Sequence, residues 1–147
     1  MEESAGRELK LVRTVDAPLN LIWEVWTEPE HLKNWWGPKG FSCTVKKMDF
    51  QEGGEWLLTL HGPDGTDFAN RSIFKEIVPF EKIVFEHFNP HFTTTVFFVP
   101  QSYGVNVEWT LLFDTAEMRE IIVKTHGAEE GQKENMAKFE GYVSLHK

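Results

Sequence analysis

Side chains able to move protons are common in this 147-residue sequence, with 23 Asp and Glu and six His, but their spacing forms no evident acid–base pair. Of six histidines, His61, His87 and His91 fall in or beside strand-like runs, where an imidazole titrating near neutrality could serve as a general base. None stands in a recognisable motif with a nucleophile, and no His/Cys/Asp/Glu spacing has the pattern of a metal site. His87 shares a strand face with Ile83 and Phe85, and His61 with Leu57 and Thr59, so the histidines are read as surface or hydrogen-bonded structural groups. The single cysteine, Cys43, lies in a strand-like run and is read as an inert packed thiol. Glu76 is the one carboxylate that can approach the interior, because strict alternation puts it on the face of Phe74, where burial would raise its pKa. Gly62-Pro63-Asp64-Gly65 has the glycines of a phosphate loop but joins two strands and lacks the lysine and helix N-terminus of such a cradle, so it is expected to be a hairpin turn. No catalytic residue, metal ligand or cofactor is assigned.

The elements that must position these residues follow from periodicity. Residues 1–8 are polar. Leu9 to Val15 alternates as a strand, and Pro18 opens a helix to about Thr27 whose apolar stripe is Leu19, Ile22, Trp23 and Trp26. Pro29 starts a second short helix to about Trp35. Gly37, Pro38 and Gly40 then break the chain before strands at Phe41–Asp49, Glu55–His61, Asp67–Val78, Lys82–Phe88, Thr93–Val99 and Tyr103–Phe113. Their connections are short and turn-like, including Pro79-Phe80 and Asn89-Pro90, so the expected arrangement is an antiparallel meander. Alternation directs Trp56, Leu58 and Leu60, and likewise Val105, Val107, Trp109, Leu111 and Phe113, to the interior. Asp114 with Glu117 resembles a capping box for a helix that Gly127 stops at His126. A further helix from about Glu129 to Leu145 carries Met136 and Phe139 on its apolar stripe.

Four of the six tryptophans, Trp23, Trp26, Trp35 and Trp36, sit between Pro18 and Pro38, and that much aromatic surface must be buried against something large. The length fits one domain over residues 1–147, without a disulfide framework. A net charge of −8 with scattered Lys and Arg excludes a nucleic-acid interface, which needs a concentrated basic face. No apolar run reaches the ~20 residues that a membrane span requires, and one cysteine suits a reducing compartment, so a cytoplasmic protein without membrane insertion is expected.

Three segments carry a resemblance. Ala17-Pro18 with Trp23 to Trp26, Thr27-Glu28-Pro29-Glu30 and Trp35-Trp36-Gly37-Pro38 resemble the signature of proteins similar to the activator of heat-shock protein 90 ATPase, within the SRPBCC (START and birch-pollen-allergen-like) superfamily. Gly53-Gly54-Glu55-Trp56 with Gly62-Pro63-Asp64-Gly65 matches a second segment, and His126 to Gly131 with Phe139 a third. The resemblance implies an α+β helix-grip fold, with a curved antiparallel seven-stranded sheet wrapped around a long C-terminal helix and two short helices after the first strand. It also implies an apolar cavity between sheet and terminal helix for a hydrophobic small molecule: a lipid, polyketide or aromatic compound. The wall expected from the inward residues is Trp56, Leu58, Leu60, Phe74, Trp109, Met136 and Phe139, closed near Trp35 and Trp36, with Ser72, Asn70 and Gln132 orienting the ligand. A polyketide cyclase or hydrolase is the enzymatic rival, and a co-chaperone-like module with a protein partner or as a homodimer is the third reading.

Overall fold

The computed structural model describes residues 6–88 and 90–147. Residues 1–5 of the polar N-terminal stretch, and Asn89 of the expected Asn89-Pro90 turn, lie outside the described residues. The chain runs β1 (Glu8–Val15), α1 (Leu19–Thr27), α2 (Pro29–Leu32), then β2 (Ser42–Met48), β3 (Glu55–His61) and β4 (Asp67–Val78). It continues with β5 (Lys82–Phe88), β6 (Phe92–Pro100), β7 (Val105–Phe113), α3 (Ala116–His126) and α4 (Ala128–Ser144). One antiparallel sheet orders the strands β1-β7-β6-β5-β4-β3-β2, so β2 to β7 form a meander and β1 closes on β7. This is the α+β helix-grip arrangement, with the curved sheet gripping α4.

Local chemistry explains most boundaries. Pro18 is the extended N-cap of α1 rather than its first helical residue, and its carbonyl accepts the Ile22 N–H at 3.1 Å. Helix α2 stops at Leu32 instead of reaching Trp35; the Trp35 and Trp36 N–H groups both turn back to the Leu32 carbonyl, at 3.2 and 3.0 Å. The expected cap at Asp114 moves one residue on. Thr115 is the N-cap of α3, its hydroxyl accepts the Met118 N–H at 3.0 Å, and the Asp114 carboxylate instead accepts from His91. Gly127, at φ 62°, ends α3 and starts α4 in the left-handed conformation that suits glycine.

Two irregularities reverse faces. In β2 the pairing skips Lys46, so Cys43, Val45 and Met48 all face Leu60, Leu58 and Trp56 on the inner side. In β4 it skips Lys75: Phe74 pairs with inward Phe85, whereas Glu76 pairs with Val84. That extra residue overturns the reading of Glu76 as an interior carboxylate. Glu76 turns outward to an ion pair with Lys82 at 3.0 Å, and Ile77 takes the inward position.

The tryptophan-rich segment is buried as its composition demands. Trp26 lies edge-on to Trp35, Trp109 and Trp36, at centroid distances of 4.8, 5.3 and 5.9 Å. Such pairs contribute about 0.5–1.5 kcal/mol each beyond their buried area. Phe139 of α4 joins the cluster from the other side, 5.0 Å from Trp35. Trp23 packs toward a different end, against Phe50, Phe80 and Phe98.

Candidate functional site

Strand alternation creates the site. On the inner face of the sheet a transverse row runs Phe113, Phe92, His87, Ser72, Trp56, each paired with the next across a strand boundary. The adjacent row runs Leu111, Thr94, Phe85, Phe74. Between these rows and α4 lies a cavity of about 220 Å³. Its floor is Trp56, Leu58 and Leu60 from β3, Asn70 and Ser72 from β4, Phe85 and His87 from β5, Phe92 and Thr94 from β6, and Trp109 and Leu111 from β7. Trp36, Gly37 and Pro38 close one side, and His126, Gly127, Ala128, Gly131, Gln132 and Asn135 close another.

Of the side chains expected to meet a ligand, Trp36, Trp56, Leu58, Leu60, Ser72 and Trp109 line the cavity, as do the orienting candidates Asn70 and Gln132. Trp35, Phe74, Met136 and Phe139 do not. They are buried to within 1% of full enclosure and form the layer behind the wall, so the cavity is shallower than the apolar stripes suggest. Trp35 is held there by its indole N–H, which donates to the Val25 carbonyl at 3.2 Å. Trp36, only half-buried, carries the exposed face: it stacks on Trp109 at 5.5 Å and meets Trp56 at 5.0 Å.

Two α4 amides fix this wall. Gln132 donates to the Trp109 carbonyl at 3.0 Å. Asn135 donates to the Trp35 carbonyl at 2.9 Å and accepts the Gly37 N–H at 3.2 Å, so both ends of its amide are used. Asn135 was not foreseen, since a polar residue on a helix carries no sequence mark of burial. The same holds for Thr94 inside the uniform run Thr93-Thr94-Thr95.

His87, read from the sequence as a surface or structural histidine, is a wall residue whose signal was present, because it shares a face with Ile83 and Phe85, both of which are buried. Reading it as hydrogen-bonded fits its contacts, but its ring also reaches the cavity. Its Nδ1 lies 2.8 Å from the Pro90 carbonyl oxygen, its Nε2 lies 2.8 Å from Asn70 Oδ1, and the ring stacks on Phe92 at 4.4 Å. Burial pushes its pKa below the ordinary histidine value. Among the described residues the only other titratable wall residue is His126, on the exposed side.

The remaining histidines stand elsewhere. His91 bridges Glu86 at 2.6 Å and Asp114 at 2.8 Å, and the Glu86 carboxylate leads in raising its pKa. His61 lies between Thr44 and Asp67. Cys43 is half-buried off the cavity wall, and burial pushes its thiol up to about 11. Gly62-Pro63-Asp64-Gly65 is a hairpin turn between β3 and β4, with the Gly62 N–H donating to the Thr66 carbonyl at 2.7 Å. Among the described residues no group of three or more His, Cys, Asp and Glu is placed to hold a metal ion, and no helix is long and apolar enough to cross a membrane.

Comparison with known proteins follows the same architecture. A protein from Nitrosomonas europaea shares the fold at a TM-score of 0.87 and 27% identity, over 97% of this chain and 97% of its own. A protein from Arthrobacter aurescens reaches 0.89 at 22% identity, over 99% of this chain and 90% of its own. An AHSA1-like protein from Aeromonas hydrophila reaches 0.78 at 16% identity, over 94% and 92%. No curated protein gives a significant match. The family model described as Activator of Hsp90 ATPase homolog 1-like protein matches residues 16–144, and the chain therefore belongs to that family.

Proposed function

We propose that this protein binds a compact hydrophobic small molecule in the cavity between its sheet and α4. The observation that carries the reading is a space of about 220 Å³ walled by three tryptophans and two phenylalanines and left unfilled by the side chains around it. The hollow, open on the side of His126, has room for roughly seven waters at about 30 Å³ each. It is smaller than the ~300–1,000 Å³ of sites for drug-sized ligands. That size favours a one- or two-ring aromatic compound over an extended acyl chain or a large polyketide.

Apolar burial would drive binding. A ligand hiding about 200 Å² gains about 5 kcal/mol at 25 cal/mol per Å² before ordering costs, which puts the dissociation constant at about 0.2 mM or weaker. The acidic net charge of −8 opposes nucleic acid as a partner, and one free cysteine suits a reducing, cytoplasmic setting. The test is calorimetric titration with tetralin and with 1-tetralone, repeated on Leu58→Trp, which fills the floor of the cavity. Saturable binding that is lost in a cooperatively folded Leu58→Trp variant supports the reading. Failure of both compounds to bind the wild-type protein overturns it.

A further inference from the structure

We propose that Tyr142 is a nucleophile that accepts the acyl group of small activated esters, with His31 as its general base and Glu24 as the group that orients the base. The site joins three elements: Glu24 stands on α1, His31 on α2 and Tyr142 near the end of α4. None of the three lines the cavity.

The distances are those of a nucleophile, a base and a third group behind the base. His31 Nδ1 lies 2.8 Å from the Tyr142 hydroxyl, and its Nε2 lies 2.8 Å from a Glu24 carboxylate oxygen. An ionised carboxylate only accepts hydrogen bonds, so the ring nitrogen facing Glu24 carries a proton. In the neutral ring Nδ1 is then the acceptor, and the Tyr142 hydroxyl donates to it. This is the tautomer in which an imidazole takes a proton from an attacking hydroxyl while the carboxylate stabilises the imidazolium that forms. The Asn34 amide adds a donor at the same place. Its Nδ2 donates to the Glu30 carbonyl at 2.7 Å and lies 3.4 Å from the Tyr142 hydroxyl oxygen, beside the point where an attacked carbonyl gains negative charge.

Packing orients the phenol ring at the surface. His146 stacks on it at a centroid distance of 4.1 Å, and His31 meets it edge-on at 5.8 Å. Tyr142 and His31 are half-buried and Glu24 is exposed, so the three groups stand at the protein surface.

The step balances without any further reactant. Tyr142 Oη attacks the ester carbonyl carbon as His31 Nδ1 takes the hydroxyl proton. The bond from that carbon to the leaving oxygen then breaks, and His31 returns the proton to the leaving group. The products are O-acyl-Tyr142 and an alcohol or phenol.

The sequence holds two tyrosines, and the other, Tyr103, is an internal control. Tyr103 is 74% exposed, so accessibility alone makes it the faster to react. The full chain is treated with p-nitrophenyl acetate at neutral pH, and acetylation of each tyrosine is followed by mass spectrometry of its peptides. Tyr142 is expected to react about tenfold faster than Tyr103. The amide of His31→Gln can hydrogen-bond to the same neighbours but cannot take the proton. In that variant the Tyr142 rate should fall about tenfold while the Tyr103 rate stays within about twofold. Glu24→Gln should lower the Tyr142 rate in the same direction by less, and thermal melts identify which variants are folded. Acetylation of Tyr103 as fast as Tyr142 in the wild type overturns the proposal. An unchanged Tyr142 rate in folded His31→Gln also overturns it, leaving the contacts as a tie between the helices. If His31→Gln does not fold, an unchanged Tyr142 rate in Glu24→Gln overturns the proposal and a selective fall supports it.

Discussion

Asn135 of α4 holds Trp36 from the backbone on either side, donating to the Trp35 carbonyl at 2.9 Å and accepting the Gly37 N–H at 3.2 Å. The ring that forms one wall of the cavity is thus positioned by a side chain about a hundred residues away in sequence. Replacing Asn135 with Ala leaves a buried carbonyl and a buried N–H unpaired, at about 1–3 kcal/mol for each group that stays unsatisfied. Urea unfolding of Asn135→Ala should show that loss in midpoint, and its affinity for 1-tetralone should fall as Trp36 loosens. Wild-type stability in this variant would show the clamp to be idle.

Gly37 and Gly141 should respond to alanine in opposite directions. At Gly37, φ is 110° and an added Cβ would lie 2.9 Å from Leu60 Cδ2, so backbone strain and crowding of a cavity-wall residue combine. Gly37→Ala is expected to cost about 1–3 kcal/mol. At Gly141, inside α4, a Cβ meets nothing within 4 Å, and alanine should stabilise by about 0.5–1 kcal/mol. Thermal melts of the two variants should move apart from the wild type in these directions.

His87 and His91 should give stability opposite dependences on pH. His91, raised by Glu86 and then Asp114, adds stability that is complete below its unfolded pKa of about 6.5 and is lost as pH rises through its folded value. His87, lowered by burial, works in the other sense: its contribution is complete above about pH 6.5 and is lost as pH falls toward its folded value. Unfolding midpoints measured between pH 5 and 8 should therefore show the advantage of wild type over His91→Gln shrinking toward pH 8. The advantage over His87→Gln should shrink toward pH 5. Parallel curves would rule out either contribution.

Cys43 should be nearly inert in the folded chain. With its thiol pushed up to about 11, the reactive thiolate is scarce at pH 8. Its reaction with a disulfide reagent should be at least tenfold slower in the native protein than in guanidinium, where the thiol regains its ordinary value of about 8.5. Equal rates would contradict the burial of this side chain.

The sequence by itself determined the order of the elements, the antiparallel meander and the inward faces of β3 and β7, because alternation and turn chemistry are local properties. Trp56, Leu58 and Trp109 were legible as inward-facing for that reason, and the burial of the Trp23 to Trp36 cluster followed from its apolar mass. Tertiary structure decided what no local period carries. Skipping Lys75 sends Glu76 to solvent and Ile77 inward, since a bulge is set by hydrogen bonding to the partner strand and inverts every face beyond it. Depth was likewise settled by packing. Trp35 and Trp36 are adjacent and chemically identical, yet one is locked to the Val25 carbonyl behind the wall and the other faces the cavity, held by an asparagine from α4.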